Sequence, residues 1–248
     1  MPKKGEKKNE KKPIEIKEVK TAGGMVDYYK SMPKKFLLDS HNPNFKDHKI
    51  NLPFRMLIIG GSGSGKTQTL MNLIRVMNGT FQNIHIITKN KDEPLYNYLE
   101  SKVDIGLSIT EGIASAPDLD KFNKKEQTLI IMDDLVLEKN QKELEGYFIR
   151  ARKLNCSLVY LSQSYFQVPK MIRQNLNYLL VKRLNTLTDL FRIMREYSLG
   201  VSKDKLTELY QNSIQENKQD FLFIDLEAEP AERFRYNFLD VYNIGDSI

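Results

Sequence analysis

Four glycines fall within six positions in LIIGGSGSGKTQTL, residues 57–70, and a lysine and a threonine follow directly. The spacing Gly60, four residues, Gly65, Lys66, Thr67 fits the phosphate-binding pattern G-x-x-x-x-G-K-[ST]. Glycine permits the sharp turns that aim successive backbone N–H groups at one anion. On that chemistry Gly60, Gly61, Ser62, Gly63, Ser64, Gly65, Lys66, Thr67 and Gln68 would cradle the phosphates of ATP. Lys66 would reach the terminal phosphates, and the Thr67 hydroxyl would hold Mg2+.

Two carboxylates supply the other half of such a site. TLIIMDDL, residues 128–135, is an apolar run that closes on Asp133 and Asp134. In phosphate-loop NTPases a strand next to the loop strand ends in a magnesium-binding acid, the role assigned to Asp133. Water is a weak nucleophile, so hydrolysis needs a base, the role assigned to Asp134. SLVYLSQS, residues 157–164, carries Gln163 where a strand would end. There it would sense the terminal phosphate or orient water in the nucleotide crevice. Phosphoryl transfer also develops charge that an arginine stabilises, yet none stands in the loop or beside the aspartates. The stretch 142–155, KELEGYFIRARKLN, offers Arg152 first and Arg150 second, with Arg173 third; the finger would come from a neighbouring subunit. As a helix, this stretch would point Arg150 and Arg152 about 200° apart, so both could not enter one pocket.

Rival chemistries leave weaker traces. Asn90-Lys91-Asp92-Glu93 puts glutamate where the guanine-reading N-K-x-D needs aspartate, and it precedes the magnesium strand, which argues against a GTPase. A nucleotide kinase would carry a mobile arginine-rich lid; the doubled carboxylate and Gln163 favour hydrolysis instead.

These residues need strands and helices to hold them. FRMLII, residues 54–59, reads as a buried strand feeding the loop, and 67–79 as a helix with Leu70, Leu73, Ile74 and Met77 on one stripe and Gly79 as its stop. Further strands are expected at 83–90, 128–135, 157–164 and 178–184, and two more at 220–226 and 233–238. Helices are expected over 91–100, 142–155, 186–198 and 203–216, the first opened by Pro94. Residues 115–126 read as a polar connector, and 21–50 as an extended lead-in. Strand–helix alternation predicts an α/β fold with a mostly parallel central sheet flanked by helices.

At 248 residues the chain can bury a substantial core. One cysteine, Cys156, rules out an intramolecular disulfide and a cysteine metal cluster, and it points to a reducing compartment. His41, His48 and His85 lack metal-ligand spacing. No apolar run has the length of a membrane span, and no signal peptide is read at the N-terminus, so no membrane anchor is expected. Of the net charge of +6, residues 1–20 contribute most, with eight lysines against four glutamates; this segment reads as a disordered basic tail. Domain organisation is therefore read as tail and lead-in over 1–50 and a P-loop domain over 51–248. From Gly146 to Thr188 there is no acid but seven Lys or Arg, which predicts positive potential for phosphates, for DNA or for a neighbour's acidic edge.

Taken together, GGSGSGKT, TKNKDEPLYNYL, IIMDDL and FIRARKLNCSLVYLSQSYFQVPKMIRQNLNYLL resemble the FtsK/HerA superfamily of DNA-pumping ATPases, above all the poxvirus-type packaging ATPases of large DNA viruses and their virophages. The resemblance covers about residues 52–185. It implies an additional-strand, RecA/FtsK-HerA-like P-loop core, ATP hydrolysis, a homo-oligomeric ring of five or six subunits, and translocation of double-stranded DNA into a capsid. It also implies a place in the host-cell cytoplasm, at the viral factory or with the virion, and capsid proteins as partners. Asp134 stands where many members have glutamate, which shortens the base by one methylene. A nucleotide-dependent assembly switch and a cellular-type helicase are the alternatives; stimulation of turnover by duplex DNA separates motor from switch.

Overall fold

The computed structural model describes residues 27–38, 40–138 and 140–244, so the tail read over 1–20 lies outside the described residues. The chain divides into two units, with the boundary after Leu38. In the first unit, Asp27 caps α1 (Tyr28–Ser31): its Oδ1 accepts from the N–H groups of Tyr29 and Lys30. A 3-10 turn follows at Lys34–Phe36.

The second unit carries one nine-stranded sheet among its described residues. In chain order its elements are β1 (Arg55–Ile59), α2 (Lys66–Val76), β2 (Asn83–Thr88), α3 (Pro94–Glu100), β3 (Leu107–Glu111), β4 (Thr128–Asp133), α4 (Gln141–Arg150), β5 (Cys156–Ser162), α5 (Lys170–Arg173), β6 (Tyr178–Val181), α6 (Thr188–Glu196), α7 (Lys203–Ile214), β7 (Leu222–Asp225), β8 (Phe234–Tyr236) and β9 (Asp240–Val241). The spatial order is β3-β2-β4-β5-β1-β6-β7-β8-β9. The first six of these strands run parallel, and β7, β8 and β9 close the other edge antiparallel. Parallel strands separated by helices must be covered on both faces, and the central strands β1, β4 and β5 are correspondingly buried along almost their whole length.

Alternation of side chains sorts the core into two layers. Met56 and Ile58 of β1 pack with Leu70, Leu73 and Met77 of the α2 segment and with Tyr96 and Leu99 of α3. Leu57 and Ile59 pack on the opposite face with Leu144 and Phe148 of α4, Leu190 and Ile193 of α6, and Leu206 and Leu209 of α7. Each such buried side chain contributes about 1.5–3 kcal/mol.

The architecture bears out the α/β, mostly parallel expectation, and four details differ from the sequence reading. First, β5 lies between β1 and β4, so the acid-bearing strand is not next to the loop strand. All seven residues of β5 are buried, so it can only sit inside the sheet; it is the additional strand that the resemblance implied. Second, β3 arises at 107–111, where no strand was read; its residues are only partly buried because it is an edge. Third, the helix expected to reach 155 ends at Arg150, and Ala151–Leu154 tightens into a 3-10 turn that left-handed Asn155 closes. Fourth, residues 40–50 belong to the folded unit. His48 and Ile50 are fully buried, Asn42 donates to Ile50 O, and Arg235 donates to His48 O.

Candidate functional site

Because six strands run parallel, their C-terminal ends meet on one edge of the sheet, and the sequence motifs gather there. The glycine-rich loop leaves β1 and is pinned from both sides. Gly60 N donates to Ser162 O at the end of β5 (3.2 Å), and Gly61 N donates to Arg183 O beyond β6 (2.9 Å). Side chains would not fit at these points. A Cβ on Gly60 would stand 2.5 Å from Ser64 Oγ, and one on Gly61 would collide with the Asn185 amide. Gly65 turns the chain into α2 with φ of 85°, and no side chain caps that helix. The first N–H groups of α2 are left without a side-chain cap, the kind of helix start that offers donors to an anion.

Lys66 Nζ donates to Gly60 O at 2.9 Å and to Gly61 O at 3.2 Å, bridging the mouth of the loop. Burial holds its ammonium below the usual lysine range, while Asp133 and Asp134 pull the other way. Asp133 ends β4, and its Oδ2 accepts from Tyr96 OH of α3 at 2.7 Å. Burial lifts the Asp133 carboxyl above the usual carboxylate range, against the lowering effect of that hydrogen bond. Asp134 turns away in the left-handed region, φ 54°, which aspartate tolerates better than most residues. Its N–H donates to Leu161 O, and its Oδ2 accepts from Gln163 Nε2 at 3.4 Å. The loop, the two aspartates and Gln163 therefore share one crevice across β4, β5 and β1.

Magnesium takes oxygen donors, few from protein and the rest from phosphates and water. The Thr67 hydroxyl and the Asp133 carboxylate would be such donors, and among the described residues no cluster of three or more His, Cys, Asp or Glu offers a protein cage. The residues fit the ion.

The arginines lie elsewhere. Arg150 pairs with Asp120, and Arg173 pairs with Glu196 and stacks over Tyr165. Arg152 is exposed on the 3-10 turn rather than on α4, so the helical separation of about 200° does not apply. It lies near enough to Arg55, which opens β1, to disfavour that guanidinium's charge, at the end of the strand away from the loop. The acid-free stretch does not form one positive face. Arg150 and Arg173 meet acids from other segments, Lys182 is fully buried, and Arg183 donates to Ile214 O; Arg150, Arg152, Lys153, Lys170 and Arg183 are exposed.

Sequence reasoning missed Tyr96, the partner of Asp133, and Asn185 and Gln219, which close on Gly61 and Gly65. It counted Lys182 only as surface charge. A lysine directly after the apolar run YLLV was the available signal.

Comparison with known proteins places this chain in a family. Residues 43–228 match the model of the Poxvirus A32 protein family. The DNA packaging protein OPG160 of variola virus is 27% identical over 146 residues, covering 54% of this chain and 54% of that protein. Its vaccinia virus (strain Copenhagen) counterpart is 28% identical over the same length, with 54% of each covered. The chain thus spans about half the length of the curated relatives it matches. Among solved structures, the genome packaging NTPase B204 from Sulfolobus turreted icosahedral virus 2, in complex with sulfate, superposes with a TM-score of 0.53 at 13% identity, over 77% of this chain and 98% of that one. EssC (ATPases 2 and 3) from Geobacillus thermodenitrificans gives a TM-score of 0.52 at 11% identity, over 79% of this chain and 41% of that one. At such identity these structures speak for the fold alone. With its model matched from residue 43 to residue 228, the chain belongs to the Poxvirus A32 protein family.

Proposed function

We propose that the chain is a magnesium-dependent ATPase that moves double-stranded DNA, packaging a viral genome into a capsid. The observation that carries this reading is the shared crevice: a pinned phosphate loop faces a doubled carboxylate across one intervening strand. Family membership supports it, as does the fact that the variola and vaccinia relatives are named DNA packaging proteins.

In this reading Ser62 to Gln68 hold the phosphates through backbone N–H groups, and Lys66 moves from the loop carbonyls to the terminal phosphate. Magnesium, held by Thr67 and Asp133, neutralises phosphate charge when bound. Tyr96 orients Asp133 through its hydroxyl. Asp134 takes the proton of the attacking water, and Gln163 orients that carboxylate or the water. The missing cation comes from a neighbouring copy in a ring of five or six, with Arg152 first, Arg150 second and Arg173 third. DNA contacts draw on exposed cations such as Lys153 and Lys170, bind without sequence preference and weaken with salt. The place of action is the cytoplasmic viral factory, with capsid proteins as further partners. The P-loop domain takes in residues 39–248, and the segment before it serves as tail and lead-in.

The test is ATP turnover with and without magnesium and with and without duplex DNA, beside a mass measurement of the assembly. Magnesium-dependent turnover that rises severalfold with duplex DNA is expected. Turnover indifferent to DNA would point to an assembly switch, and no turnover would overturn the reading.

A further inference from the structure

A second lysine lies beneath the phosphate loop. Lys182 follows β6 directly, and its N–H donates to Ile59 O at 2.8 Å, so strand pairing fixes its position beside the start of the loop. The side chain is 0% exposed. Its Nζ donates to Thr69 Oγ1 at 2.8 Å and to Gln219 O at 2.8 Å, with Asp220 O at 3.5 Å. The loop wraps its stem: a Cβ on Gly60 would stand 2.8 Å from Lys182 Cβ, and one on Gly65 3.7 Å from Lys182 Cε.

Three oxygens and the Phe221 ring surround the ammonium, but among the described residues no carboxylate pairs with it. The Asp220 carboxylate is taken by Tyr236, Asn237 and the Asn217 N–H, and it favours the ammonium only from a distance. Lys66 of α2 disfavours the ammonium, and the Phe221 ring lies 5.7 Å away. Burial is the largest influence and brings the amine down to about 8. A buried cation without an ion-pair partner is costly unless a further anion comes close. The anion that the neighbouring loop is shaped for is a polyphosphate.

We propose that Lys182 is a positioning residue: it ties the first turn of α2 to the Gln219–Asp220 carbonyls and lends a bound triphosphate positive charge from behind the loop. This rests on the nucleotide reading of the crevice. The charge is present below about pH 8 and is lost as pH rises through that value; a bound polyphosphate retains it to higher pH, so binding weakens as alkali removes it.

Lys182→Met and Lys182→Gln in the full chain test this. Met keeps the stem, and Gln keeps a donor for Thr69 Oγ1, so a folding failure of one leaves the other. ATP and adenosine are each titrated by displacement of a fluorescent ATP analogue, from pH 7 to 9.5. The expected result is ATP binding weakened about tenfold or more at pH 7, the scale of one partly screened unit charge, with adenosine changed less than about twofold. The fall in the parent's ATP affinity above pH 8 should shrink in both variants. A folded variant that binds ATP like the parent overturns the inference, and so does one that loses ATP and adenosine in equal proportion. A parent that binds no ATP overturns the nucleotide reading itself, and this inference with it.

Discussion

At the scale of single residues the crevice separates two kinds of role. In the proposed reading Lys66 meets phosphate directly, so Lys66→Ala is expected to abolish turnover. Asp134→Asn keeps the left-handed φ, which asparagine also tolerates, and keeps a partner for Gln163. It should therefore bind nucleotide like the parent while hydrolysing about a hundredfold more slowly, the usual loss for a general base. Steady-state turnover beside equilibrium binding checks both; parental turnover in Asp134→Asn would move the base elsewhere. His48 shows a different use of burial. Its Nδ1 accepts from Ile50 N at 3.0 Å, and burial brings the imidazole from 6.5 down to about 4. The unfolded chain therefore binds this proton first as pH falls. The stability at stake is whole above pH 6.5 and is lost between there and about 4, with a size of about 3 kcal/mol. In His48→Asn, whose side-chain oxygen can accept from the same N–H, urea unfolding should show a smaller loss between pH 7 and 4.5.

At the scale of elements, the sheet separates what folding needs from what chemistry needs. The three strands that surround the loop and the aspartates, β4, β5 and β1, are central. The far edge, β3, begins after Gly106, whose φ is 84° and whose Cβ would strike the Gln82 carbonyl. Gly106 O also accepts from Ile84 N at 2.7 Å, so the residue sets the β2–β3 pairing. Gly106→Ala combines a positive φ with a clash and should cost about 1–3 kcal/mol. Because β2, β4 and β5 stand between β3 and β1, ATP affinity should stay within about twofold. A thermal melt with a nucleotide titration tests this, and a joint loss of both would show that the edge strand supports the site.

At the scale of the whole molecule, the position of Arg152 decides how it could act. It is exposed, and it lies by Arg55 at the end of β1 opposite the phosphate loop, so the proposed finger role requires a second copy rather than its own crevice. Arg152→Ala and Lys66→Ala chains are each expected to be inactive alone. Mixed before assembly, they should regain part of the parental turnover, because some interfaces join an intact loop to an intact arginine. Full activity of Arg152→Ala alone, or mixtures that assemble but stay inactive, would remove Arg152 as the finger. Arg150 then follows, since an exposed pair such as Arg150–Asp120 contributes little and can be exchanged.

The phosphate loop, the doubled aspartate and the helix after the loop were legible in the sequence because each rests on local spacing. Gly60, Gly65, Lys66 and Thr67 follow one another in the chain, and the β4 run ends on the carboxylates it presents. Five of the six parallel strands were legible in outline for the same reason, since buried parallel strands are apolar runs; β3, partly buried at the edge, was not. Strand order was not, because no local signal places β5 between β1 and β4; burial of its whole length across two neighbours decides that. Nor could the sequence tell which cations meet an acid and which is buried. Arg150 and Arg173 meet Asp120 and Glu196, which lie 30 and 23 positions away, and Lys182 passes beneath the loop toward Gln219, 37 positions on. Charge along a chain is a one-dimensional property. The potential at a surface, or behind a phosphate loop, depends on which segments the fold brings together.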